Sequence, residues 1–119
     1  DYHVGLTMSA DSFYAGQGRE GFDGFEAAGS ETLVEDLKNA NVMNIEMEAA
    51  AILTLANVYG LRAGAICSVF ANRETGEFMT EGESVAAETA SLAVKLLARM
   101  DEVKSEAGAD RWHAGLSLE

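Results

Sequence analysis

The stretch Val42-Met43-Asn44-Ile45-Glu46-Met47-Glu48-Ala49-Ala50-Ala51-Ile52-Leu53 allows few structures. Residues 42–45 are short and β-compatible. Across residues 47–59 most positions are apolar, dominated by Ala, Leu and Met, which predicts a helix buried on most sides. Gly60 supplies its C-terminal stop. The change from strand to helix falls on Glu46 and Glu48. Two residues apart, they would not share a face of a regular helix. One can therefore point at a ligand and the other at the framework. Acidic residues near a helix start also offset the macrodipole, and many do nothing else. The apolar setting argues for more, because a carboxylate beside an apolar helix is costly without partners.

The rest of the chain alternates in kind. Residues 2–9 (YHVGLTMS) read as a strand, with His3 as a possible base or an ordinary structural side chain. Residues 10–29 read as a loop holding Gly16, Gly18, Gly21, Gly24 and Gly29, with Phe13, Tyr14, Phe22 and Phe25 between them. Such aromatics either pin a loop to the core or wall a planar ligand. Gln17 and Arg19 add an amide and a guanidinium, a donor and acceptor set able to read the edge of a heterocycle. The glycines match neither nucleotide-binding spacing. Residues 30–41 predict a helix with Ser30 as N-cap and Leu33, Val34 and Leu37 as its apolar stripe. Residues 61–71 (LRAGAICSVFA) predict a buried strand. It runs into the polar loop 72–77, where ligands of α/β proteins gather, so Arg73 is a candidate. Residues 84–103 predict a long helix with Val85, Leu92, Leu96, Leu97 and Met100 on one side. Residues 104–119 read as a tail, disordered or docked on a partner, with Trp112 and His113 unassigned. This order argues for α/β layers within one domain.

Charge decides what the surface avoids. Twenty acidic residues against eight basic ones give a net charge of −12, which repels nucleic acid and anionic membranes. Lys38, Lys95 and Lys104 are the only lysines. An acidic, lysine-poor surface fits either a halophilic, salt-adapted cytoplasmic protein, whose self-repulsion salt screens, or an ordinary acidic one. The single cysteine, Cys67, cannot form an internal disulfide and reads as a small buried hydrophobe. No apolar run reaches the roughly 18 residues of a membrane span. The first residue, Asp1, falls in what reads as mid-strand, so a piece of a longer protein is expected.

Three blocks then carry a resemblance. Asp11-Ser12-Phe13-Tyr14-Ala15-Gly16-Gln17-Gly18-Arg19, the Glu46-Met47-Glu48 junction and Val69-Phe70-Ala71-Asn72-Arg73 resemble the C-terminal half of the nucleoside phosphorylase-I family. The resemblance covers about residues 2–100. The E-M-E block before an Ala-rich helix is shared across that family. The F-Y-x-G-Q-x-R loop with a later N-R is similar to its uridine-cleaving branch. The resemblance implies a three-layer α/β/α fold with a mixed, partly barrel-like sheet, residues 1–103 forming half of its domain and 104–119 a tail or interface.

It further implies reversible phosphorolysis of uridine to uracil and ribose 1-phosphate. Phe13, Gln17, Arg19, Phe70, Ala71 and Arg73 would bind the base, and Glu46, Met47 and Glu48 the ribose. Arg73 and Glu48 would be the catalytic pair. Phosphate is the co-substrate, and no metal or organic cofactor is expected. A homo-oligomer, dimer or hexamer, is implied, with the phosphate-binding arginines outside these residues. The family often carries Tyr where this chain has Ile45, so an aromatic or hydroxyl contribution there is not carried over. The purine-cleaving and nucleosidase branches place an Asp after the strand that here ends in Phe70-Ala71; this chain has Asn72. A nucleosidase or other nucleoside phosphorylase of the same fold, and a non-catalytic nucleoside-binding or assembly module, are the alternatives.

Overall fold

The computed structural model describes residues 1–116. It is mixed α/β, with two strands, three helices and two short 3-10 turns in the order β1 (Leu6–Ser9), turn Ala15–Gln17, turn Phe22–Gly24, α1 (Leu33–Asn39), β2 (Val42–Glu46), α2 (Ala49–Val58) and α3 (Glu83–Glu106). The chain divides into two units, Asp1–Ala65 and Ile66–Glu119.

In the first unit β1 and β2 pair in parallel, with Leu6 opposite Val42, Thr7 opposite Asn44, Met8 opposite Ile45 and Ser9 opposite Glu46. A register irregularity separates Leu6 from Thr7. The expected strand 2–9 is thus shortened to its last four residues, and His3 lies outside it, exposed. Parallel neighbours need a long crossover, and the Gly-rich loop with α1 supplies it. Leu33, Val34 and Leu37 are half-buried as the α1 stripe predicts. The helix starts later than expected, with Thr32 rather than Ser30 at the N-cap and no side-chain capping bond.

The strand-to-helix junction stands where the sequence puts it: β2 ends at Glu46 and α2 begins at Ala49. Gly60 ends the helix with φ of 66°, a conformation glycine adopts without strain. The burial expected of α2 is not found. Ala49 is its one buried residue, while Ile52, Leu53, Leu55 and Val58 are exposed. A stripe of Leu and Ile supplies the drive for burial but not the facing surface, and among the described residues that surface is missing.

The second unit departs furthest from expectation. Residues 61–71 form no strand; Ala71 makes a single antiparallel bridge to Phe78. A ladder needs a neighbouring edge as well as β-rich side chains, and no neighbour pairs with residues 61–70 in a ladder among those described. The run is correspondingly open: Val69 is 74% exposed, and Cys67 is exposed rather than buried. α3 forms over nearly the predicted range and continues three residues beyond it, so residues 104–106 of the expected tail are helical. Its apolar residues Val85, Leu92, Leu96 and Leu97 are exposed, and Arg99 pairs with Glu102 at 3.1 Å on its polar side. In the remainder of the tail Trp112 is half-buried; residues 117–119 lie outside the described residues. No described helix is long and apolar enough to cross a membrane.

Candidate functional site

Two segments leave the carboxyl ends of β1 and β2, and both carry candidate residues. Because the strands are parallel and Ser9 pairs with Glu46, both departures occur at one edge of the sheet. Ligands of α/β proteins gather at such edges.

After β2, the two glutamates separate. The Glu46 carboxylate is used by the framework. Its Oε1 accepts a hydrogen bond from the Ser9 hydroxyl. Its Oε2 accepts from the Glu48 N–H at 2.7 Å and from the Ala49 N–H. The Ser9 hydroxyl oxygen in turn accepts from the Ala50 N–H at 3.0 Å. A helix start leaves its first amides without intrahelical partners. Here two side chains from two strands take three consecutive amides. The Ser9 hydroxyl and then the Ala49 amide hold the Glu46 carboxyl below the usual carboxylate range; desolvation opposes them, and the Glu48 amide adds the smallest lowering effect. Glu48 occupies the N-cap of α2, yet its side chain makes no capping bond. It is exposed, as is Met47. Of the framework and ligand roles that the spacing left open, the framework role falls to Glu46, and the Glu48 side chain is left exposed.

After β1, a tight turn organises the loop. The Gly16 N–H donates to the Ser12 hydroxyl oxygen at 2.7 Å. The Gln17 and Arg19 amides both donate to the Tyr14 carbonyl, at 3.0 and 2.9 Å. Gly18 between them has φ of 64°, and a Cβ there would lie 2.8 Å from the Ser30 carbonyl oxygen. Only glycine fits that position without moving backbone. The turn leaves Gln17 7% exposed, the one buried polar residue among those described. The Arg19 guanidinium carbon lies 4.5 Å from the Phe13 ring centroid, a cation–π distance. Phe13 in turn meets Tyr14 edge-on at 5.2 Å. Arg19 Nε is buried without a hydrogen-bond partner. A buried N–H left this way is costly, and a ligand acceptor would relieve it.

In the second unit Phe70, Ala71 and Arg73 lie at the neck of a hairpin-like turn. The Met79 N–H donates to the Phe70 carbonyl at 2.6 Å, and the Asn72 N–H to the Glu77 carbonyl at 2.9 Å. The Asn72 side-chain oxygen accepts from the Glu74 and Thr75 amides at 2.9 and 3.2 Å, an Asx arrangement that closes the turn. Arg73 is half-buried. The candidates are therefore grouped as Phe13, Gln17 and Arg19 in one turn, Glu46, Met47 and Glu48 at one junction, and Phe70, Ala71 and Arg73 at another turn. Two open concavities, one of about 380 Å³ beside Ile66–Val69 and α3 and one of about 540 Å³ beside Lys38 and Met43, are lined by none of them. Sequence reasoning passed over Ser9 and Ser12, whose hydroxyls hold the junction and the turn. The available signal was a hydroxyl at each boundary of a predicted strand and loop.

The chain belongs to the Phosphorylase superfamily, whose family model matches residues 1–99. Within it, the chain is 56% identical to a uridine phosphorylase of Thermococcus kodakarensis over 115 residues, 97% of this chain and 42% of that protein. It is 38% identical to a uridine phosphorylase of Escherichia coli over 96 residues, 80% of this chain and 37% of that protein. It is also 41% identical over 76 residues, 64% of this chain and 26% of that protein, to a guanosine phosphorylase of Halorubrum lacusprofundi. The chain thus spans well under half the length of the curated relatives it matches. No solved structure matches it.

Proposed function

We propose that the full-length protein catalyses the reversible phosphorolysis of uridine to uracil and ribose 1-phosphate, this segment supplying the base and ribose half-site. The observation that carries the reading is the Phe13–Arg19 turn: a guanidinium stacked on an aromatic ring, with one buried N–H lacking an acceptor, two residues from a buried amide. The similarity to two uridine phosphorylases supports it.

The chemistry suits these groups. Breaking the glycosidic bond builds positive charge on the sugar and negative charge on the departing uracil. Donors preset at the edge of the base stabilise that anion, each worth roughly 10²–10³ in rate. Gln17 and Arg19 take this role, with Phe13 packing on the base. Glu48, with Met47 beside it, holds the ribose hydroxyls, fixes the sugar for attack by phosphate and tolerates its growing positive charge. Phosphate is the co-substrate, bound by residues outside this segment, and no cofactor is required. Arg73 on the pyrimidine carbonyl and Phe70 and Ala71 as base contacts rest on the resemblance alone.

The intact domain is proposed as a three-layer α/β/α fold with a partly barrel-like sheet, assembled as a cytoplasmic dimer or hexamer. The exposed apolar residues of α2 and α3 support further protein covering them, from the same chain or a neighbour. The charge of −12 with three lysines supports salt adaptation, and the expected outcome is a Tm that climbs steeply with KCl to molar concentration. A Tm that ignores KCl removes that part of the reading only.

The guanosine phosphorylase relative favours purine cleavage as a second reading. Assay of the full-length enzyme on uridine, inosine and guanosine, each with and without phosphate, separates the readings. Uridine is expected to be cleaved far faster than inosine or guanosine, and only with phosphate. Comparable kcat/KM for guanosine rejects the uridine reading, phosphate-independent cleavage points to a nucleosidase, and nucleoside binding without turnover to a non-catalytic module.

A further inference from the structure

We infer that Ser9 is a positioning residue of the proposed reaction, orienting Glu46 and the start of α2 so that Glu48 is presented to the ribose. The inference rests on the function proposed above for Glu48. It begins with register: Ser9 and Glu46 are the last residues of their strands and stand opposite each other. Ser9 donates its hydroxyl to Glu46 Oε1, and it accepts from the Ala50 N–H at 3.0 Å with the same oxygen. One hydroxyl thus ties the carboxylate of β2 to the backbone of α2. The other carboxylate oxygen holds the amides of Glu48 and Ala49. The Ala10 N–H, next in the chain, donates to the Glu46 carbonyl at 2.8 Å, so the Ser9 backbone is also anchored to Glu46.

This arrangement explains why Glu48 is available. An N-cap side chain ordinarily folds back onto the amides two or three residues ahead. Here those amides are Ala50 and Ala51; Ser9 already holds that of Ala50, and Glu46 holds those of residues 48 and 49 just before it. Glu48 therefore keeps its carboxylate off the helix while its backbone is fixed from both sides. Loss of the Ser9 hydroxyl releases one oxygen of Glu46 and one amide of α2, and Glu46 can then rotate and let the Glu48 backbone move. Positioned groups lose rate steeply with small displacements.

The test uses the full-length enzyme with Ser9→Ala, Ser9→Thr, Glu48→Gln and the double variant Ser9→Ala/Glu48→Gln. Ser9→Ala is expected to lose about tenfold in kcat/KM for uridine, and Ser9→Thr, which keeps a hydroxyl, to recover most of it. In the Glu48→Gln background the Ser9→Ala loss is expected to shrink to within about twofold, because both changes act on one contact. Losses that multiply across the double variant, or wild-type kcat/KM in Ser9→Ala at temperatures well below its Tm, overturn the inference and leave Ser9 a structural residue. Amide hydrogen exchange at residues 48–50 provides a readout independent of turnover: protection is expected to fall in Ser9→Ala and return in Ser9→Thr. If the wild-type protein cleaves no nucleoside, the function reading fails by itself, and the tie from Ser9 to α2 is judged by exchange. Unchanged protection in Ser9→Ala then overturns it as well.

Discussion

The junction at Glu46 and the turn at Asn72 both follow apolar, β-rich runs, and they are held in different ways. At the junction a paired strand delivers Glu46 to a neighbour's Ser9, and side chains distant in sequence meet. At the turn the Asn72 bonds are local: its side-chain oxygen takes amides two and three residues on, and Ala71 bridges Phe78. A local turn needs no partner strand, so it forms wherever its own residues permit. A junction built from two strands exists only when those strands are in register. The first arrangement can set the position of a ligand-facing group through tertiary structure, while the second sets only its own loop.

The comparison predicts a graded series. Gln17→Ala in the full-length enzyme strikes the buried amide of the β1 loop and is expected to cost about 10² in kcat/KM for uridine. A surface control, Glu102→Ala, should leave it unchanged; equal values for the two would place the loop outside the chemistry. Glu48→Gln is expected to lose about tenfold, roughly 1.4 kcal/mol of transition-state stabilisation, without loss of Tm. The loss should shrink with 2′-deoxyuridine if the 2′-hydroxyl is the group held. A lowered Tm with unaltered kinetics would return Glu48 to a helix-dipole role, worth about 0.3–1 kcal/mol.

Asn72→Ala is expected to act on stability, by about 0.5–1.5 kcal/mol for each bond lost, read by chemical denaturation. A large kinetic effect with unchanged stability would erase the contrast between the two regions. The smallest effect concerns acid. Glu46 is held below the ordinary carboxylate range by the folded state, so its contribution is present above that range and is lost as pH falls through the lowered value. The Tm difference between wild type and Glu46→Gln should therefore narrow on acidification. A difference that stays constant would show that the Ser9 contact does not depend on Glu46 charge.

What the sequence made legible follows the same division. The strand-to-helix change at residues 46–49, the stop at Gly60 and the long α3 are written in local composition and periodicity, and they stand in the structure. Residues 61–71 carry strand propensity in Ile66, Val69 and Phe70, but propensity does not name a neighbour, and no ladder forms there. Cys67 is exposed for the same reason, since burial follows from what covers a run. Within the site, a two-residue spacing shows that Glu46 and Glu48 diverge. It does not show which one meets Ser9, because Ser9 lies 37 residues away and is brought there only by the parallel pairing.

With the ribose role proposed for it, Glu48 at the head of α2 would also be a point where selection for two properties pulls in opposite directions. Short polar residues such as Ser, Asp and Asn are the strong helix caps, and replacing a weak cap by one of them gains about 0.5–2 kcal/mol in many proteins. A screen for thermostability would therefore tend to find Glu48→Ser or Glu48→Asp, and each would draw its side chain back onto the helix by taking the Ala51 amide or competing with Ser9 for that of Ala50. Variants enriched by heat at this position should be poor catalysts, so a stabilising consensus applied without regard to turnover would erase the residue that the junction is arranged to expose.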